Sequence, residues 1–376
     1  MRLLHTSDWH LGASDGERSL YDDQKHFIDA ICGTIEEKKV QAVLVAGDVY
    51  DTSVGSAEAL RLYNYAMTKI CAGMGVPVFI IAGNHDSADR LSNLSELLDR
   101  TGLHIKGALT DDVSPLEIND VQIYLLPWIT EEKVKSVFPE EKDNISSLAD
   151  AYGVVTARMK KSFKDGFRHI AVSHAFIADC ETSVSDRSAV IGLAAQVPAS
   201  VFDGFDYVAL GHLHKPQDVS GTVRYSGTPM PYSFGKEETQ EKSVTIIDTD
   251  TMERETVPVP LLHLRTSFEG TLEELLNPVC TPEQKDGYVR LKVTDSYVGL
   301  EALSELRRQY PNLLEISGKS YESEDAGISI TIDELEKLEE DPVEVFRYFC
   351  REYMDEEPDE HLTELFKKAI EKCEEG

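Results

Sequence analysis

The chain has 376 residues, of which 41% are hydrophobic, and a formal net charge of −31. This length favours two or three domains with a sizeable buried core, and the acidity argues against a broad basic surface for nucleic acid. Six scattered cysteines without a C-x-x-C pair favour reduced thiols in a cytoplasmic protein, and neither a leader nor a membrane span is expected.

The first 110 residues alternate short apolar runs with longer helical patterns. The predicted strands are residues 3–6, 42–46 and 78–82, and the predicted helices are residues 22–38 and 56–74. This alternation predicts an α/β fold, with a sheet core covered by helices.

Farther along the chain, the predicted elements become shorter. Strands are predicted at 116–118, 121–125, 169–172, 207–210 and 243–248, a helix at 146–163, and a loop at 180–200. Beyond a boundary at 262, residues 263–335 predict a small α/β domain and residues 336–376 a helical segment. Residues 331–376 hold 17 acidic and 6 basic residues, a net charge of −11.

Polar motifs follow several predicted strands, at the strand ends where α/β proteins bind ligands. They are Asp8-Trp9-His10, Gly47-Asp48, Gly83-Asn84-His85-Asp86, His174, Gly211-His212 and His214. Two divalent cations about 3.5–4 Å apart need about eight carboxylate, amide or imidazole ligand positions. Seven of these residues supply ligands and one carboxylate can bridge, so the set predicts a two-metal site for phosphoester hydrolysis.

The residue types suggest how the ligands are shared. Asp8 and His10 lie two apart, so in an extended segment both face one ion. Asp48 is the best bridging carboxylate, and Asn84 offers an amide oxygen. Three further imidazoles favour Mn²⁺, Fe²⁺ or Zn²⁺ over Mg²⁺; they belong to His174, His212 and His214.

His85 is predicted to be catalytic rather than a ligand. Because Asn84 faces the metals, the next side chain should point elsewhere and reach the scissile phosphate or the leaving oxygen. Asp86 is predicted to orient the His85 ring or raise its basicity.

Each motif alone has a structural explanation, since Gly-Asp after a strand is usually a turn. The ordered set, each member at a strand end, is what predicts the metal site. The remaining histidines are expected to be structural or on the surface; they are His5, His26, His104, His169, His263 and His361.

The ordered motifs resemble those of the calcineurin-like metallophosphoesterase superfamily. Finer features are similar to its SbcD branch of bacterial nuclease subunits: MRLLHTSDWHLG at 1–12, ETSVSDR at 181–187, QVPASVF at 196–202, GHLHKP at 211–216 and YSGTP at 225–229. The resemblance covers residues 1–240 and continues more loosely to the end. It implies a metallophosphoesterase nuclease domain at 1–262, a capping domain at 263–335 and a partner-binding segment at 336–376.

The resemblance also implies functional details. One ion would be held by Asp8, His10, Asp48 and His214, and the other by Asp48, Asn84, His174 and His212. Mn²⁺ is the expected metal. The implied activity is that of a DNA exonuclease on duplex ends and an endonuclease on hairpins or single strands. It implies an SbcC-like ATPase as partner, in DNA repair, recombination and replication.

Two apolar stripes are candidate interfaces. Val345, Phe346, Phe349, Tyr353 and Met354 would dock on the ATPase, and Leu60, Tyr63, Met67, Ile70 and Met74 would form a homodimer. The alternative for both is packing against the chain's own core.

Two other functions remain open from the sequence. A small-molecule phosphodiesterase or phosphatase of the same superfamily would use identical metal chemistry, and the net charge favours it. A metal-free scaffold for DNA ends is disfavoured, since a scaffold has no need of an intact ligand set.

Overall fold

The computed structural model describes residues 1–16, 18–183, 185, 196–295, 300–318, 322–323, 326–327, 343, 347 and 362–367. The chain forms two compact units, Met1–Ser14 with Ser19–Leu264, and Asp15–Arg18 with Arg265–Gly376. The predicted partner stripe near residue 350 and part of the 181–187 motif lie outside the described residues. Among the helices that are described, none is long and apolar enough to cross a bilayer.

The strands of the N-terminal part follow the predicted alternation with helices. They are β1 (Arg2–Thr6), β2 (Ser14–Asp15), β3 (Arg18–Ser19), β4 (Ala42–Ala46), β5 (Val78–Ile81), β6 (Leu103–Lys106), β7 (Leu116–Ile118), β8 (Val121–Leu126), β9 (Arg168–His174), β10 (Tyr207–Gly211), β11 (Gln217–Asp218), β12 (Val223–Tyr225), β13 (Ser243–Asp248) and β14 (Arg254–Pro258). The α-helices are α1 (Tyr21–Lys38), α2 (Ala57–Met67), α3 (Ala88–Leu91), α4 (Ser95–Leu98), α5 (Glu131–Val137) and α6 (Leu148–Lys160).

These strands form two six-stranded sheets rather than one. The first has the order β14-β13-β1-β4-β5-β6, and the second β11-β12-β10-β9-β8-β7. Four neighbouring strands run parallel in each sheet: β1-β4-β5-β6 in the first and β12-β10-β9-β8 in the second. The remaining strands, β13, β14, β11 and β7, each pair antiparallel with a neighbour. The carboxyl ends of four parallel strands therefore lie along one edge of each sheet, where ligands are held.

The two sheets pack face to face. Leu44 and Ile81 of the first sheet share a buried cluster with Ile170, Val172 and Ala209 of the second. The opposite face of the second sheet packs on α5 and α6 through a second cluster. Because both faces are covered, these strands are continuous apolar runs such as Ala42–Ala46, in which every residue is buried. The predicted α/β class is confirmed, with two central sheets.

The second unit is smaller and has its own core. Its elements are β15 (Arg265–Gly270), α7 (Leu272–Leu276), α8 (Pro282–Asp286), β16 (Tyr288–Val293), α9 (Leu300–Gln309), β17 (Leu313–Gly318), β18 (Glu322–Ser323) and β19 (Ala326–Gly327). The order β15-β16-β17 is parallel throughout. Leu275, Leu291, Leu306 and Tyr310 belong to the buried cluster that joins sheet and helices.

The predicted dimer stripe is split by the fold. The predicted helix 56–74 is α2 followed by a π-helical segment, Thr68–Gly73. Met67 and Ile70 are buried in the core, whereas Leu60 is 54% exposed. The prediction that the whole stripe forms an interface is therefore wrong, because Met67 and Ile70 are buried within the chain's own core.

Candidate metal centre

The turns that follow β1 and β4 run side by side. Asp8 N donates to Gly47 O at 3.0 Å, and His10 N donates to Asp48 O at 3.0 Å. Asp8, His10 and Asp48 have φ angles of 52°, 43° and 48°. Such left-handed conformations cost roughly 1–3 kcal/mol each and persist only where surrounding contacts impose them. The paired turns thus hold three predicted ligands in fixed positions.

The turn after β5 carries Gly83-Asn84-His85-Asp86 and approaches Asp48. His85 N donates to Asp48 Oδ1 at 2.9 Å. A Cβ atom at Gly83 would overlap that same carboxylate oxygen, so only glycine allows this approach.

Asp86 does not have the role predicted from its position next to His85. Its carboxylate accepts three backbone N–H groups, from Val49 at 3.1 Å, Tyr50 at 2.9 Å and Gly83 at 2.9 Å. The carboxylate therefore ties the turn after β5 to the turn after β4. The expectation that Asp86 orients the His85 ring is corrected, because it organises the backbone of the site instead.

The Asp51 carbonyl fixes one nitrogen of the His85 ring. His85 Nδ1 lies 2.8 Å from Asp51 O. A carbonyl oxygen only accepts hydrogen bonds, so Nδ1 carries the proton and Nε2 lies on the opposite side of the ring. The ring stands edge-on to His10, with centroids 4.9 Å apart. His85 is thus held beside the ligand cluster in a defined orientation.

The second sheet supplies the other three imidazoles. His174 ends β9 and donates from Nδ1 to Ala46 O at 2.8 Å, which turns its Nε2 toward the cluster. His212 follows β10, and its backbone N lies 3.0 Å from Asp8 Oδ1. His214 Nε2 lies 3.1 Å from His10 Nε2. Side chains from both sheets therefore meet at one place.

The predicted ligands fall into two groups with metal-binding spacing. Asp8, His10 and His214 form one group, and Asp48, His174 and His212 form the other. Within each group the ligand atoms lie within 4.8 Å of one another. Asn84 Oδ1 joins the second group, at 2.9 Å from both His174 Nε2 and His212 Nδ1. A third group consists of His10, Asp51 and His85.

The chemistry of this cluster fits divalent cations. His174 Nε2 and Asn84 Oδ1 face each other at 2.9 Å, and in neutral His174 both atoms are acceptors. His174 Nε2 and His212 Nδ1 are also only 3.2 Å apart. Close acceptors of this kind are compatible when a cation lies among them. Mixed carboxylate, amide and imidazole ligands suit Mn²⁺, Fe²⁺ or Zn²⁺.

The charges of the cluster favour the binding of positive charge. Burial raises the pKa of Asp8 to about 6, and the nearby Asp48 adds to this effect while His174 opposes it. Burial lowers the pKa of His174, but the Asp48 carboxylate outweighs it and raises the pKa to about 9. Burial, followed by the charge of His174, lowers the pKa of His212 to about 3.

Trp128 is a site residue that the motif analysis missed. Its ring stacks on His212 with centroids 5.2 Å apart and 26° between planes, and its backbone N–H donates to Ala82 O at 2.9 Å. It follows β8 within two residues, so a search of every strand end for aromatic residues would have found it. The ring restricts the orientation of His212.

The remaining described histidines lie outside the metal cluster. His5 is fully buried, with Nδ1 2.9 Å from the Tyr207 hydroxyl and Nε2 3.1 Å from Leu210 O. His169 stacks on Phe163 with centroids 3.8 Å apart. The structural assignment of these two side chains is confirmed, and His361 lies outside the described residues.

Three solved structures are similar to parts of the chain. The TT1561 protein of Thermus thermophilus is 12% identical, with a TM-score of 0.39, over 69% of this chain and 99% of that chain. GAP50 of Plasmodium, described as the anchor in the inner membrane complex, is 11% identical, with a TM-score of 0.39, over 69% and 89%. A dimetal phosphatase from Danio rerio is 15% identical, with a TM-score of 0.40, over 69% and 99%. At TM-scores this low, the similarities carry no information on activity.

Family models match both parts of the chain. The SbcD_C model, described as the type 5 capsule protein repressor C-terminal domain, matches residues 257–354. The calcineurin-like phosphoesterase model matches residues 1–216, which include every predicted metal ligand. The two matches together support an SbcD-type nuclease subunit. Because the phosphoesterase model spans more than half of the chain, the protein belongs to the calcineurin-like phosphoesterase family.

Proposed function

We propose that the protein is a metal-dependent DNA nuclease, with double-strand exonuclease and single-strand or hairpin endonuclease activity. It would act in the cytoplasm with an SbcC-like ATPase in DNA repair and recombination. The observation that supports this most is the convergence of seven predicted ligands in the phosphoesterase domain, combined with the C-terminal SbcD_C match. Both parts occur in one chain, which favours a nuclease over a small-molecule phosphodiesterase.

The site residues would have different roles in hydrolysis. When bound, two divalent cations, with Mn²⁺ as the expected metal, would activate water and neutralise phosphate charge. Asp8, His10 and His214 would hold one ion, and Asn84, His174 and His212 the other, with Asp48 between them. Asp86 fixes the backbone of the turns that carry these ligands.

His85 would act on the substrate. Its Nδ1 is committed to the Asp51 carbonyl, so the opposite nitrogen is the one that would meet the phosphate or protonate the leaving oxygen. The chain needs no serine or cysteine nucleophile for this reaction, and no covalent intermediate is expected.

A substrate panel tests the proposed function. With Mn²⁺, linear duplex and hairpin DNA should be cut, and EDTA should abolish cutting. An SbcC-like ATPase with ATP should raise the rate on duplex ends. Asp48→Ala, purified in parallel, controls for contaminating nucleases. Hydrolysis of a chromogenic phosphodiester with no cutting of any DNA would instead favour the small-molecule enzyme, which the net charge of −31 would suit.

We propose a homodimer whose interface is smaller than the one predicted from the apolar stripe that begins at Leu60. Leu60, on α2, is the most exposed residue of the stripe and therefore the best candidate for contact with a second chain. Leu60→Glu should therefore convert a dimer into a folded monomer, measured by light scattering with a thermal melt. Val279→Glu, at a fully exposed apolar position of the second unit, is the matched control and should leave the dimer intact. A Leu60→Glu protein that remains dimeric would contradict the proposal.

A further inference from the structure

A buried ion pair lies behind the metal cluster, outside the predicted ligand set. Lys242 Nζ is 3.1 Å from Glu237 Oε2, and both side chains are completely buried. Glu237 also accepts from Tyr232 N at 3.0 Å and from Ser233 Oγ at 2.8 Å. Burying two charges is costly unless hydrogen bonds satisfy them, and here several do. This carboxylate is thus held in one place.

Ser185 connects this carboxylate to a predicted ligand. Ser185 Oγ lies 2.6 Å from His214 Nδ1 and also hydrogen-bonds to Glu237 Oε1. Burial would raise the pKa of Glu237, but the positive charge of Lys242 outweighs it and lowers the pKa to about 2. The carboxylate is therefore ionised and can only accept hydrogen bonds.

The positions of the protons follow from this connection. A serine hydroxyl has one proton, and here it goes to the Glu237 carboxylate. The Ser185 oxygen must then accept a hydrogen bond from His214, which places a proton on Nδ1. Neutral His214 consequently has its lone pair on Nε2, the nitrogen that lies 3.1 Å from His10 Nε2 in the ligand cluster.

We propose that Glu237 is a positioning residue that acts through Ser185. Together they fix His214 with Nδ1 protonated and Nε2 directed at the cation shared with Asp8 and His10. This inference rests on the proposed metal-dependent function. It also assigns a role to Ser185, which lies in the 181–187 motif.

His214 differs in this respect from two neighbouring histidines. His174 and His85 each place Nδ1 against a backbone carbonyl, of Ala46 and Asp51, at 2.8 Å. A backbone carbonyl remains whichever side chain the residue has, so no substitution removes it. The orientation of His214 depends on side chains, so it can be altered without changing the backbone or a ligand.

Ser185→Ala is the principal test, with the full chain titrated with Mn²⁺ by calorimetry. We expect one of two ions to bind roughly 10–100-fold more weakly, because partners behind a ligand have effects of that size. The other ion should bind unchanged, and the melting temperature of the EDTA-treated protein should not move. Ser185→Thr should restore the affinity. Ser233→Ala, which removes a donor to Glu237 that does not contact His214, is the matched control.

Two further measurements separate positioning from stability. In the metal-free chain, ¹⁵N NMR should show His214 protonated at Nδ1 in the wild type and mixed tautomers in Ser185→Ala. Glu237→Gln should weaken the same ion, and combining it with Ser185→Ala should add little further loss. Unchanged Mn²⁺ affinity and an unchanged tautomer in Ser185→Ala would overturn the inference. A wild type that binds no Mn²⁺ but shows the Nδ1–H tautomer would instead refute the proposed function.

Discussion

Asp48→Ala should bind at most one divalent cation per chain, where the wild type should bind about two. The Asp48 carboxylate lies between the two candidate ligand groups, at 3.3 Å from His174 Nε2 and 4.0 Å from His10 Nε2. Losing an ion should remove several kcal/mol of transition-state stabilisation. This corresponds to a fall of at least about 10³-fold in the rate of phosphodiester hydrolysis. Metal analysis of the Mn²⁺-loaded protein and a rate measurement check both effects.

Two further variants test whether misfolding, rather than loss of a ligand, explains this result. Asp48 Oδ1 accepts the backbone N–H of His85, and losing that bond alone costs about 1–3 kcal/mol of folding free energy. Asp48→Asn keeps a neutral acceptor of the same shape and should fold like the wild type while still losing an ion. Asp165→Ala, an exposed aspartate, should change neither quantity. Two bound ions in folded Asp48→Asn would rule out the bridging role.

His85→Ala should keep both ions and lose hydrolysis by at least about 10²-fold, the usual contribution of a general acid. The reason is geometric, since the ring lies edge-on beside His10 with its Nδ1 fixed by Asp51 O. Metal stoichiometry and turnover measured on the same sample separate the two roles. Asparagine in place of His85 should be as inactive as alanine.

The third ligand group makes this a demanding test. His10, Asp51 and His85 also have metal-binding spacing, so His85 has a real alternative role. Loss of an ion together with activity in His85→Ala would assign His85 to that group as a ligand. His104→Ala is the control, because His104 is a partly exposed histidine that pairs with Asp99 away from the cluster.

The ordering of elements and the gathering of ligands were predictable from sequence. Residues 42–46 and 243–248 were predicted as strands with the bounds that the structure has, since long apolar runs between polar turns leave little choice. The motif residues lie close together because parallel strands place their carboxyl ends at the same edge of a sheet. These inferences depend on local pattern and on a general rule of sheet topology.

Other features depended on contacts between distant parts of the chain. The sequence could not show that the strands divide into two facing sheets, because an apolar run has the same appearance in either arrangement. It also assigned Asp86 to His85 by proximity in sequence, whereas Asp86 binds the amide of Val49, which lies 37 positions away in the turn after β4.

The surroundings of the ligands were decided in the same way. Glu237 and Lys242 look like ordinary charged residues of a surface segment, and only the folded chain shows them buried behind His214. The candidate ligands were predictable from sequence, because metal chemistry restricts their types. Their orientation was decided by tertiary structure, because a hydrogen bond has a direction only once both partners have been brought together in space.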